Sequence, residues 1–167
     1  MDLKEPKMQT APLITSTDLL KHWQGHRSLT RKVIEAFPEK ELFGYAVAGM
    51  RPFAAMAKEL LAIAAPGVRE IAGGAAEELN ESLDQADSKA KILALWDEAT
   101  AEINRYWAQV PDERFQEHIV AFGKYEGTVW STVFYFIDNE IHHRGQGYVY
   151  LRSLGIEPPP FWERSIS

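Results

Sequence analysis

The chain has 167 residues, of which 46% are apolar and 25% charged, and a formal charge of −6 at neutral pH. Those values suit one globular domain and exclude a disordered chain; the acidic balance argues against direct nucleic-acid binding, and no apolar run approaches the roughly 20 residues of a membrane span. Cysteine is absent, so there are no disulfides, thiolate metal sites or cysteine nucleophile, and any metal would have to be held by His, carboxylate or amide groups.

Residues 1–15 are polar, broken by Pro6 and Pro12, and lack a signal-peptide apolar region; they read as a flexible leader to a single cytoplasmic domain over 16–167. A first helix is predicted to start at Ser16 or Thr17 as N-cap, with Asp18 in its first turn, and to run through Leu19, Trp23, Leu29 and Val33 to Phe37. Pro38 stops it, and Gly25 weakens its continuity. Pro38, Gly44 and Gly49 predict a connection over 38–50. A second helix is predicted from about Met50 to Ala65, with Phe53, Met56, Leu60 and Ile63 at helical spacing, ended by Pro66 and Gly67. Residues 67–87 suit either a short helix or a long connection. A third helix starts at Ser88 and carries Ile92, Leu95, Trp96, Ala99, Ile103 and Trp107 on one broad face, with Pro111 as its stop. Residues 111–127 read as a crossover loop, with no alternating strand pattern. A fourth, long helix spans Thr128 to about Leu154, closed by Gly155 and Pro158. The fold class is therefore all-α: a four-helix bundle with long crossover connections.

The fourth helix carries the unusual text FIDNEIHHRGQGYVYLRSLGIEPP. Trp130, Phe134, Ile137, Ile141 and Tyr148 make one apolar stripe, and Val129, Phe136, Gly147 and Tyr150 lie toward the other side with Asn139 and His143. A helix apolar on most sides is central to a bundle or shared with a partner subunit, which argues for a homodimer. Asn139 and His143 are four residues apart and share a face; Asp138 and His142 do the same on the neighbouring one. Either pair offers two ligands to a divalent ion from a rigid platform, or else one His is hydrogen-bonded in the interior and the other solvated. His22 and His26 have the same spacing on the first helix, but their neighbours Lys21 and Arg27 favour a partly solvated pair. His118 falls in the crossover and reads as a surface residue. Arg144 suits either an anionic substrate group or a salt bridge to Glu140, one turn earlier. The five tryptophans read mostly as core or interface anchors. No dinucleotide, Walker or serine-hydrolase motif is present.

HHRGQ, followed by Tyr148, Leu151, Arg152, Gly155 and Pro158–Pro159, resembles the closing helix of DinB-like proteins, and Gly49–Met50–Arg51 leading into RPFAAMAKELL resembles that family's second helix. The likeness covers roughly residues 16–162. It implies a DinB-like four-helix bundle, usually dimeric, with a divalent metal such as nickel, zinc or manganese held by three histidines. The last of these falls on His143. The other two positions fall on Glu59 and Asn139, which can ligate through a carboxylate and, weakly, an amide oxygen. The candidate metal set is thus Glu59, Asn139 and His143, with Asp138 and His142 as a fallback, set against a metal-free hydrogen-bond cluster of the same residues. The resemblance also implies a metal-dependent enzyme, a thiol-dependent S-transferase or a hydrolase acting on small electrophiles, with Arg144 orienting substrate. A chain without cysteine would take its sulfur from a low-molecular-weight thiol cosubstrate. The alternative is a non-catalytic, stress-associated dimer with a degenerate metal site or a ligand-binding pocket.

Overall fold

The computed structural model describes residues 13–73, 75–76 and 78–164. The flexible leader expected over 1–15 lies outside these, apart from its last three residues. Among the described residues there are five helices: α1 (Ser16–Ala36), α2 (Glu39–Gly44), α3 (Phe53–Ile71), α4 (Lys89–Trp107) and α5 (Val129–Ser153). A short 3-10 turn (Asp112–Gln116) and an antiparallel hairpin, β1 (His118–Ala121) and β2 (Tyr125–Thr128), join α4 to α5.

The helix ends follow from local chemistry. Thr15, one residue before the predicted cap, closes a capping box with Asp18: its hydroxyl accepts from the Asp18 amide at 3.1 Å, and the Asp18 carboxylate accepts from the Thr15 amide at 3.3 Å. Ser88 and Thr128 cap α4 and α5 by accepting from Lys91 and Ser131 amides. Gly155 ends the last turn at φ +76°, a left-handed conformation in which an L side chain is strained.

The structure corrects the expected organisation at four places. The 38–50 connection contains α2, a single short helix started by Pro38. The second predicted helix does not stop at Pro66: α3 continues to Ile71, because Gly67, Val68 and Ile71 bury in the core and outweigh the one backbone hydrogen bond that proline removes. Helix α4 ends at Trp107, before Pro111. The crossover loop is in part a hairpin, whose short strands carry too little alternation to register as a pattern.

The four long helices form the bundle. Helix α3 packs on α4 and α5, and α1 packs on the same two, so α1 and α3 stand across a diagonal. The chain therefore crosses the bundle twice, once through α2 and once through the hairpin. Trp23, Trp96, Phe37, Phe53, Leu29 and Ile103 fill the core. Among the described residues no helix is long and apolar enough to cross a membrane.

Two glycines set the spacing of α3 and α5. A Cβ on Gly147 would lie 2.6 Å from Phe53, and one on Gly67 would lie 2.6 Å from Cε2 of Phe136 and 3.4 Å from Phe122. Gly67→Ala is therefore expected to cost about 1–3 kcal/mol by overpacking, less the roughly 1 kcal/mol that alanine returns in helix propensity, for a net loss of up to about 2 kcal/mol. Urea unfolding measures this; a variant as stable as the parent would mean that Phe136 moves freely.

Candidate functional site

Helix α3 brings Glu59, and α5 brings Asn139 and His143, to one seam of the bundle. Thr132, Phe136, Asn139 and His143 recur at helical spacing on α5, so one face of that helix supplies both the hydrophobic and the polar part of the seam. The three predicted ligands do meet. Glu59 Oε1 accepts from Asn139 Nδ2 at 3.2 Å and from His143 Nε2 at 3.1 Å. Gln146 extends the chain, its Oε1 3.0 Å from His143 Nδ1 and its Nε2 3.3 Å from His142 Nε2.

Sequence reading supplied Arg51 only as part of an entry motif. In the structure its guanidinium donates to Glu59 Oε2 at 2.6 Å. The loop that carries it is pinned by α5, where the Tyr150 hydroxyl donates to the Arg51 carbonyl at 2.9 Å. Burial pushes the Glu59 carboxyl up, but hydrogen bonds from Arg51, Asn139 and His143 outweigh it and hold the group below the usual carboxylate range. Glu59 is thus an ionised carboxylate, only 13% exposed, with every neighbour donating to it.

These contacts decide how well the residues suit a resident divalent ion. The set holds only two good ligands, Glu59 and His143, and among the described residues no group of three His, Cys, Asp or Glu is placed to hold a metal. Both carboxylate oxygens already accept charge-assisted bonds, one from a guanidinium that supplies the positive charge. An ion would have to displace Arg51, turn the Asn139 amide and strip the His143 hydrogen. The residues fit an internal ion pair better than a tightly held divalent metal.

Glu59, alone of the three, lines a cavity of about 300 Å³. Its walls are Ile63 of α3, Leu79 and Glu81 of the α3–α4 connection, Phe122 and Tyr125 of the hairpin, and Ser131, Thr132, Tyr135 and Phe136 of α5. His143 and Asn139 stand behind Glu59 and orient it. The cavity walls were not found from sequence. Thr132 and Phe136 share the Asn139–His143 stripe and were the one available signal; the connection and hairpin residues have no periodicity.

The remaining candidates lie elsewhere. Asp138 and His142, the fallback pair, are both exposed. Arg144 is 6% exposed and does not line the cavity. It points to α1, where it donates to the His26 carbonyl, Thr30 Oγ1 and His26 Nδ1 at 3.2, 3.1 and 2.9 Å. The clamp takes the place of the expected salt bridge to Glu140, whose ion pair is with Arg27 at 3.7 Å. His26 is 4% exposed rather than partly solvated, while His22 and His118 are exposed. Trp23, Trp96 and Trp107 are core residues, as expected, but Trp130 and Trp162 stay 45% and 68% exposed.

Four packed helices joined by two crossings, with a polar seam between α3 and α5, define a four-helix bundle of DinB type. The DinB family model matches residues 8–166, and the chain belongs to the DinB family. Among solved structures it is similar to a DinB-like protein from Bacillus cereus ATCC 10987, with TM-score 0.71 and 17% identity over 86% of this chain and 95% of that one. It is also similar to a DinB-like protein from Bacillus subtilis, with TM-score 0.69 and 22% identity over 89% of this chain and 99% of that one. At such identities the likeness speaks for the fold alone. Among curated proteins none matches.

Proposed function

We propose that this chain is a small-molecule-binding DinB protein of the cytoplasm, in which Glu59 is the polar anchor of the cavity and Arg51, Asn139 and His143 hold that anchor in place without a resident metal. The observation that carries this reading is the position of Glu59: its carboxylate is ionised and fixed by three donors, and it borders an aromatic cavity. Pockets of this kind, mostly apolar with a few fixed polar groups, are what small ligands need.

Elemental analysis of protein purified without a metal-affinity tag tests it, together with thermal unfolding in added nickel, zinc or manganese. The expected result is substoichiometric metal and no rise in melting temperature. Stoichiometric metal that disappears in both Glu59→Ala and His143→Ala would overturn the reading. It would favour instead the metal-dependent enzyme, a thiol S-transferase or hydrolase with a low-molecular-weight thiol as cosubstrate.

The partner we propose is a second copy of the chain. Trp130, Phe134, Ile141 and Val149 keep 45%, 39%, 37% and 59% of their surface exposed along one side of α5. Gly145 lies on the same side with open space where a Cβ would stand, which leaves room for close approach of another helix. Light scattering should return twice the monomer mass of 18.9 kDa, and Ile141→Asp should return the monomer. A monomer at all micromolar concentrations would sink the dimer.

A further inference from the structure

The cavity beside Glu59 has a definite sign of charge. Glu59, Glu81 and Glu126 all line it, and among the described residues no Lys, Arg or His does so. Glu81 and Glu126 have no ion pair or hydrogen bond with any described residue. The rest of the wall is ring and hydroxyl: Phe122, Tyr125, Tyr135 and Phe136 with Ser131 and Thr132. Aromatic faces carry negative quadrupole potential and attract cations, more strongly when partly desolvated. The Tyr135 phenol registers the same field: burial first, then Glu59, Tyr125 and Glu81, hold it above its ordinary pKa. A cavity near the lower end of the usual range for small-molecule sites, roughly 300 Å³, suits a molecule of one ring or a short chain.

We propose that this cavity binds an organic cation, an aliphatic or aromatic amine in its ammonium form, with the charge toward Glu59, Glu81 and Glu126 and the carbon body against Phe122, Tyr135 and Phe136. The cavity and its rings make the site; the carboxylates set the sign of what enters it. Carboxylate- and phosphate-bearing molecules are the classes it turns away, because each would bring a like charge next to Glu81 and Glu126, whose carboxylates, unlike that of Glu59 with Arg51, carry no ion pair among the described residues. The inference rests on the reading of the cavity as a ligand site and adds its substrate class.

Calorimetric titration of the full chain with three near-isosteres tests it: 3-phenylpropylammonium, neutral 3-phenylpropan-1-ol and anionic 3-phenylpropionate. The ammonium is expected to bind about ten-fold or more tighter than the alcohol, and the carboxylate weaker than both. The advantage of the ammonium should shrink at high salt. The double variant Glu81→Gln, Glu126→Gln, both exposed positions, should keep the parent's circular dichroism and melting temperature while losing most of that advantage. If the alcohol binds as tightly as the ammonium, the cation is wrong and the ligand site stands; if the double variant retains the full preference, Glu81 and Glu126 do not set the sign of the ligand and the proposal fails in that part. If none of the three binds, the ligand site itself is wrong and the cation falls with it.

Discussion

Glu140→Ala is expected to destabilise the protein by about 3–5 kcal/mol, the cost of leaving buried charge without its counter-ion. The Glu140 side chain is 1% exposed. Its Oε1 accepts from the Thr30 hydroxyl at 2.7 Å and its Oε2 from the Trp23 indole at 3.2 Å, with Arg27 Nη1 at 3.7 Å. Arg27 is fully buried: it donates to Thr100 Oγ1 and the Trp96 carbonyl, and its guanidinium sits 4.2 Å from the centre of the Trp96 ring. Arg27 Nη1 has no hydrogen-bond partner even with Glu140 present. Removing the carboxylate would leave Arg27 and Arg144 enclosed between α1 and α5, strand the Trp23 donor and open a cavity, while Thr30 keeps the His26 carbonyl at 3.0 Å. Glu140→Gln, which keeps an acceptor but not the charge, should cost less. Urea unfolding of both variants checks this, and a loss below about 1 kcal/mol for Glu140→Ala would mean that water already reaches the cluster. Because Glu140 and Asn139 face opposite partners, α1 and α3, the loss should loosen the α1–α5 seam before it touches the Glu59 site.

That division of α5 between two partners explains what could be read from the sequence. The text of α5 announces a helix with polar groups on apolar faces, and the i, i+4 rule places Asn139 with His143 correctly. Glu59 came from likeness of the RPFAAMAKELL segment to a family helix, and α3 does carry it to that pair. The rule failed for Arg144, because spacing along one helix shows Glu140 as a neighbour and cannot show His26 and Thr30 on another. It failed for His26 for a related reason. Charged neighbours suggested solvent, but Arg27 is itself buried, so its charge marked the interior. Pro66 misled because its local penalty is fixed, whereas the burial that overrides it depends on Phe136, far along the chain. The cavity walls drawn from the connection and the hairpin have no period to detect. Arg51 lay in plain view in a motif, yet only the fold shows that it meets Glu59.

The largest pH effect is expected from His26, through a conflict of donors. Arg144 Nη2 lies 2.9 Å from His26 Nδ1, and Arg164 Nη1 lies 3.0 Å from His26 Nε2, with His22 Nε2 at 3.2 Å. Guanidinium groups only donate. A neutral imidazole has one in-plane lone pair for these two donors, and a protonated one has none. Burial first, then the charges of Arg144, His22 and Arg164, lower the His26 pKa from 6.5 to about 3. The sign follows directly: below pH 6.5 the unfolded chain takes up a proton at His26 and the folded chain does not, so stability falls with pH from about 6.5 toward 3. Because the side chain is 4% exposed, the slope should approach about 1.4 kcal/mol per pH unit, or about 2 kcal/mol between pH 6.5 and 5, above the range where carboxylates protonate. His26→Gln should be less stable than the parent at neutral pH, because Arg144 loses its ring acceptor, and should lack this part of the slope. Urea midpoints of parent and variant across that window decide it. Parallel pH profiles would show that His26 protonates as easily folded as unfolded, and that the Arg144 and Arg164 contacts give way at little cost. Where the profiles diverge, the same contacts hold α5 and the chain after it against α1, since the Arg164 backbone leaves room only for a glycine at position 25, 2.9 Å from where a Cβ would stand.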